Sequence, residues 1–445
     1  MPAQSSGAAF TRRGFLGVAG GATAAALLAA CSSGGGSGGS GGGSGGVLKF
    51  WNQPWGSPAF NTLDKQITLA YKPKKGLPSA TYQVIQWANF TQTYASAVAS
   101  GTNPAISSGG GTQAFLFEAQ GKIAYADHLL DTWKKNGIYD DFLPGLVDTG
   151  KTKNGYAAVP YNLDMRVLWY SKSLLQKAGV QPPTNWDEYE KVCAALKKIG
   201  VYGYGTYAGA GGFTGQHNLV AHMINNGGGL FDSNHQPNCV TPENIQAMEW
   251  VLGLVKNGYV DPRAATYTGQ NAQSQWKAGK YGLGFDTGGL AQNLGGAYAQ
   301  DVVVGEPLTG PTGKKGALFF PNNIMMYKKN PSQEGTEAFA TYYYQNMKPL
   351  WTKKTGIGLP PLKSIAATPE FRADPNAVKI IEQWQPISKT FGAPGQNAVF
   401  LNVTTVDATP PMNTFTQTIL QGRATAKAAL ENLQKALEPL AKKNG

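Results

Sequence analysis

The chain is poor in the residues that most often carry chemistry. Among 445 residues there are three cysteines and four histidines, and only 14% of positions are charged, against about a quarter in an average domain. So few histidines, with His217 and His222 outside any HExxH frame, argue against a metal centre, and no cofactor is expected. Neither Cys193 nor Cys239 has a CxxC neighbour, which excludes the usual zinc and thioredoxin-type spacings. Beyond the N-terminus no segment approaches eighteen uninterrupted apolar residues, so no later membrane span is expected. The net charge is +12, yet no basic run of five or more occurs, and nucleic acid is not an expected partner. Gly310-Pro311-Thr312-Gly313-Lys314-Lys315 lacks the Ser/Thr that a phosphate loop needs after Gly-Lys. With charge so scarce, the surface must be rich in Asn, Gln, Thr, Ser and Tyr, which suits a neutral polar ligand.

What is present starts at the N-terminus. Thr11-Arg12-Arg13-Gly14-Phe15-Leu16 reads as a twin-arginine export signal. The Gly/Ala-rich run after it is broken by Gly17, Gly20 and Gly21, and ends in Leu28-Ala29-Ala30-Cys31-Ser32. It is therefore a cleaved signal rather than a transmembrane helix. Small residues before a single Cys form a lipobox, so residues 1–30 are expected to leave and Cys31 to be acylated, tying the protein to the outer face of the cell membrane. Loss of Arg12 and Arg13 lowers the net charge from +12 to +10. Ser32 to Gly46 is fifteen residues of Gly and Ser alone, a flexible tether spanning about 20 Å. Outside the cytoplasm, Cys193 and Cys239 either pair or remain two separate buried thiols.

The remaining chain of about 400 residues exceeds what one hydrophobic core usually serves, so two lobes are expected. Val47 to Trp51 reads as a strand, Gln92 to Ser100 as a helix stopped by Gly101, and Asn103 to Ile106 as the start of the next strand. Tyr156 to Pro160 and Val167 to Tyr170 read as two short strands flanking Asn162 to Arg166. Thr184 and Asp187 have the spacing of a capping box, and Trp186, Tyr189, Val192, Cys193, Leu196 and Ile199 then share one helical face. Alternation of this kind argues for an α/β layered fold.

The order of motifs resembles the family 1 extracellular solute-binding proteins of ABC importers, the group that includes maltose-binding protein. Gly155 to Tyr161 followed by Leu168 to Leu175 is similar to the family's Y-G-V-P-Y … L-x-Y-N-K-x-L segment, and Ala178 to Glu188 continues it. Trp276 to Lys280 and Gln421 to Thr425 resemble two later family motifs, in order. The resemblance implies two α/β lobes joined by crossing segments, with residues 47–163 and 313–365 in the N-terminal lobe and 164–312 and 366–445 in the C-terminal lobe. It implies a carbohydrate held in the cleft, an oligosaccharide, with lobe closure read by the permease subunits of an ABC importer and the binding protein acting as a monomer. It implies no enzymatic activity.

A sugar needs aromatic rings for its C–H faces and planar amides or carboxylates for paired hydroxyls. Trp51, Asn52 and Trp55 supply both in the loop after the first strand, where ligands gather in open α/β sheets. By the resemblance, Asn162, Asp164 and Arg166, together with Thr112 and Gln113, lie at sugar-contacting positions. The acid that maltose binders carry near Thr112 and Gln113 is missing, which argues against maltodextrin. Tyr207, Phe213, Phe285, Asp286, Asn322, Asn323 and Met412 complete the candidate set. Each could equally be a packing residue, and Asp164 with Arg166 a plain ion pair. Iron would call for clustered Tyr, His and carboxylates, and a polyamine for several acids, so this amide- and aromatic-rich set favours sugar. A glycosidase would need two carboxylates across the cleft; Asp164 and Asp286 could be cast so, but nothing supplies an acid and a nucleophile environment.

Overall fold

The computed structural model describes residues 46–87, 90–209, 213–391, 394, 399–407 and 409–444. The export signal with Arg12 and Arg13, the acylation site Cys31 and the tether as far as Gly45 lie outside the described residues. Among the described residues no helix is long and apolar enough to cross a membrane.

The chain folds into two α/β lobes that share a mixed sheet. β1 (Leu48–Asn52) leads into α1 (Pro58–Leu69), which opens on a proline, where the missing N–H costs nothing. β2 (Ala80–Val84), α2 (Phe90–Ser100), β3 (Ile106–Gly109) and α3 (Gln113–Ala119) follow. β1 runs parallel to both β2 and β3, so the loops after all three strands emerge on one rim. α1 and β2 escaped the sequence reading.

β4 (Val159–Ser171) is one strand of thirteen residues, not the two short runs expected. The reason is in the sequence. Tyr161, Leu163, Met165 and Val167 alternate with Asn162, Asp164 and Arg166, a period-two pattern that carries straight through the polar stretch. Further on come α4 (Trp186–Lys198), α5 (Thr214–Asn225), α6 (Pro242–Lys256), β5 (Leu283–Thr287), β6 (Val302–Val304) and β7 (Ala317–Tyr327). α7 (Gln333–Asn346), α8 (Pro410–Leu420) and α9 (Ala426–Ala441) close the order. The strands lie in the sequence β2-β1-β3-β7-β4-β5, with β6 also on β4. Val159 to Met165 of β4 pairs with β7, whereas Arg166 to Ser171 pairs with β5 and β6. A single strand thus serves both lobes.

Each lobe has an aromatic centre. Phe50, Phe339 and Tyr343 meet under β1, with ring centroids 5.1–6.1 Å apart. In the other lobe Trp186 stacks on Trp250 at 4.3 Å and Tyr189 meets the same ring edge-on. The helix carrying Trp186 starts one residue later than the capping pattern suggested. Asn185 is the cap, its side chain accepting from the Glu188 N–H, while the Glu188 carboxylate accepts from Thr184.

Cys193 and Cys239 are separate free thiols, the second of the two alternatives. Cys193 is buried on α4 against Gly203, and Cys239 sits beside the Leu230 carbonyl. Burial pushes both thiols up in pKa, Cys239 to about 12.

Candidate functional site

The rim at the carboxyl ends of β1 and β3 is built on one asparagine. Asn52 is fully buried. Its Nδ2 donates to Asp64 Oδ2 at 2.5 Å and to the Tyr161 hydroxyl at 3.1 Å. Its Oδ1 accepts from Trp55 Nε1 at 2.9 Å and from the Gln53 backbone N–H at 3.0 Å. Ser108, at the end of β3, accepts from Trp55 Nε1 at 3.1 Å and donates to Gln53 Oε1 at 3.0 Å. Asn52 is therefore a bracket for Trp55 and Gln53 rather than a surface that meets a ligand. Trp51 is also set apart from the rim. It is 8% exposed and packs edge-on against Tyr94 at 5.5 Å, as a core anchor. Trp55 stays half-buried at the rim, perpendicular to Trp87.

Asp64, beneath this bracket, has its carboxyl pushed up to about 6 by burial, against the pull of hydrogen bonds from Tyr343, Tyr82 and Asn52.

A row of amides crosses the sheet from β3 through β7 to β4. Asn323 Nδ2 donates to the Gly110 carbonyl at 3.3 Å, and Asn322 Nδ2 to Asn162 Oδ1 at 3.0 Å. A Cβ placed on Gly109 would lie 3.1 Å from Gln113 Oε1 and 3.2 Å from Asn323 Oδ1, so these two amides converge over that glycine. A Cβ on neighbouring Gly110 would meet nothing within 4 Å, so the row opens onto free space there. Thr112, half-buried, caps α3 without using its hydroxyl. Gln53 Nε2, Gln113 Oε1, Asn162 Nδ2 and Asn323 Oδ1 have no hydrogen-bond partner among the described residues. Buried polar atoms are rarely left so. These two donors and two acceptors, on Gln53 after β1, Gln113 of α3, Asn162 of β4 and Asn323 of β7, are groups that hydroxyls can satisfy.

The charged half begins on the same strand. Asn162, Asp164 and Arg166 occupy one face of β4 at two-residue spacing. Asp164 Oδ2 is 2.7 Å from Arg166 Nη1. Arg166 Nη2 lies 2.7 Å from His217 Nδ1, and His217 Nε2 lies 3.0 Å from Asp407 Oδ1. Since guanidinium only donates, Nδ1 must accept and Nε2 must carry the proton given to Asp407. Burial and the Arg166 charge pull His217 down, against Asp407, so the ring is neutral at pH 7. Burial works against the Arg166 charge, but Asp164 more than offsets it and the guanidinium stays ionised. Phe320, opposite Asp164 in register, lies under both, 5.3 Å from the guanidinium carbon and 4.5 Å from the imidazole. Asp286 is pushed up to about 6 by burial, with Asp164 adding to the shift and the Thr287 N–H and Arg166 opposing it. Tyr207 is half-buried; its hydroxyl accepts from Thr214 Oγ1 at 2.7 Å, and burial together with Asp286 raises the phenol. Phe213 is half-buried against His217.

Two further candidates belong to the core. Phe285 packs on Tyr189, His222 and Trp384, and Met412 is fully buried within α8. The structure instead brings Gln53, Ser108, His217, Phe320 and Asp407 to the site or its support. Gln53 and Ser108 were visible as polar residues in the two strand-end loops. His217 and Asp407 are 190 residues apart, and no local signal pairs them. α3 and the turn Leu401–Thr405 approach to within 8 Å between Cα atoms.

The unpartnered amides thus lie within a fold of two α/β lobes that share their strands. Residues 74–347 match the family described as bacterial extracellular solute-binding protein, and the chain belongs to that family. It is similar, at 46% identity and a TM-score of 0.84 over 89% of its length, to a sugar transporter of Arthrobacter chlorophenolicus A6 with bound laminaribiose, 99% of which is covered. The maltose-bound MalE3 of T. maritima has the same fold at 18% identity, with a TM-score of 0.73 over 88% of this chain and 99% of that one. YcjN of Escherichia coli K12, a putative ABC transporter periplasmic-binding protein, is 23% identical over 320 residues, 67% of this chain and 71% of the relative. The protein is an extracytoplasmic substrate-binding protein of the ABC-transporter type with sugar-binding neighbours, and not an enzyme.

Proposed function

We propose that this protein captures a short gluco-oligosaccharide of the laminaribiose type in the cleft and delivers it to the permease subunits of an ABC importer. The observation that carries the reading is the set of unpartnered amide atoms, Gln53 Nε2, Gln113 Oε1, Asn162 Nδ2 and Asn323 Oδ1, with half-buried Trp55 joined to Gln53 through Ser108. The laminaribiose seen in the relative at 46% identity supports this class of ligand. Asp164, held toward Arg166 yet 29% exposed, keeps an acceptor for hydroxyls. Closure follows because the ligand touches strand ends of both lobes and so binds the closed form better. On this reading the lobes comprise residues 47–163 with 313–365, and 164–312 with 366–445. The protein works as a monomer, exported through the twin-arginine route, acylated at Cys31 and held near its permease by the Gly/Ser tether.

The test is a thermal-shift and calorimetric panel with laminaribiose, cellobiose, maltose, putrescine and ferric iron. A rise in Tm with laminaribiose is expected, since a ligand binding only the native state stabilises it. Binding of the amine or the metal, with every saccharide inert, would overturn the reading.

A further inference from the structure

Trp87 follows β2, on the same rim as the loops after β1 and β3. It is 38% exposed and the only tryptophan among the large apolar residues exposed at that level in the described chain. A lone exposed apolar side chain is ordinary on a protein surface, but this one is fixed in place. Its Nε1 donates to the Pro54 carbonyl at 3.2 Å. Its ring stands at 84° to Trp55 with centroids 4.8 Å apart, and at 79° to Phe90 at 5.5 Å. It packs into neither hydrophobic core. A rigid indole that adds little to the fold and stands at the edge of an aromatic, amide-lined cleft is suited to stacking against the C–H face of a pyranose.

We propose that Trp87 is the platform of an outer subsite, which receives one sugar ring beyond those held at Trp55 and the amide row. The proposal rests on the saccharide reading above and deepens it. The two indoles, nearly perpendicular, form a corner in which successive rings of one glycan change orientation. Such a corner fits a bent β-1,3-linked chain of three or more units better than a flat, extended one. The site then selects for chain length, with the disaccharide filling only its inner part.

The experiment measures Kd by calorimetry for laminaribiose, laminaritriose and laminaritetraose, on the full chain and on its Trp87→Ala and Trp87→Phe variants. The expected result is a loss of about tenfold for the tri- and tetrasaccharide in Trp87→Ala. Laminaribiose should change less than twofold, and Trp87→Phe should recover most of the loss. An equal loss for all three sugars, or no loss for any, overturns the outer subsite while leaving the saccharide reading standing. Failure of the unaltered protein to bind any of the three overturns both. An unchanged Tm for Trp87→Ala separates a binding effect from unfolding.

Discussion

Asn52 holds Trp55 through a 2.9 Å hydrogen bond from the indole to its side-chain oxygen, while its nitrogen donates to the buried carboxyl of Asp64. One amide thus joins the packing of the lobe to the orientation of an aromatic wall.

Replacing Asn52 with Ala should therefore lower stability and affinity together. Asp64 loses a buried donor and Trp55 its bracket, a cost of about 1–3 kcal/mol in stability. Trp55→Ala should weaken saccharide binding with a much smaller change in Tm. Urea unfolding and calorimetry on the two variants separate these effects.

Asp164→Asn removes the partner that keeps the buried Arg166 charged. Because Asp164 is 29% exposed, the loss of stability should be moderate, about 1–3 kcal/mol. Saccharide affinity should fall at least tenfold as one acceptor becomes an amide and Arg166 turns toward His217. Chemical denaturation and ligand titration at pH 7 check both.

Asp64 makes a pH-dependent contribution of definite sign. Its folded pKa of about 6 lies above the ordinary 3.8, so between those values the folded state holds a proton that the unfolded chain releases. The contribution therefore favours the fold at low pH and is lost as pH rises through 6, by up to about 3 kcal/mol. His222 acts oppositely. Its pKa is pushed down to about 3 by burial, so stability falls as pH drops below 6.5. Asp64→Asn should then gain stability relative to wild type as pH is raised from 4.5 to 7.5. Unfolding free energies of both proteins at the two pH values provide the measurement.

The thiols of Cys193 and Cys239 should resist a thiol reagent in the folded protein and both react after denaturation, because each is buried and uncharged. A reductant should leave the Tm unchanged. Timed labelling with and without guanidinium, followed by mass measurement, tests this.

Much of the layered fold could be read from periodicity, as with the buried face of α4 from Trp186 to Leu196 and the leucines Leu430, Leu433 and Leu437 of α9. β4 is longer than its two apolar runs suggest, because Asn162, Asp164 and Arg166 look like a polar loop when counted by composition. Their alternation with Leu163 and Met165 gives the strand away. The site was less legible. A strand-end loop announces polar and aromatic residues but not which of them turn inward: Trp51 and Asn52, the last residues of β1, are buried, while Trp55 in the loop stays half-exposed. The contact between His217 and Asp407 depends on how α5 meets a turn almost two hundred residues away, and no local pattern encodes it.

β4 also bears on how the molecule can come apart. Its first half pairs with β7 and its second half with β5 and β6, so neither lobe can be cut out without dividing the strand or taking it from its neighbour. A proteolytic or genetic dissection at the apparent waist would expose open strand edges on both fragments, the kind that aggregate. Any recombination that exchanges one half therefore has to bring the shared strand along.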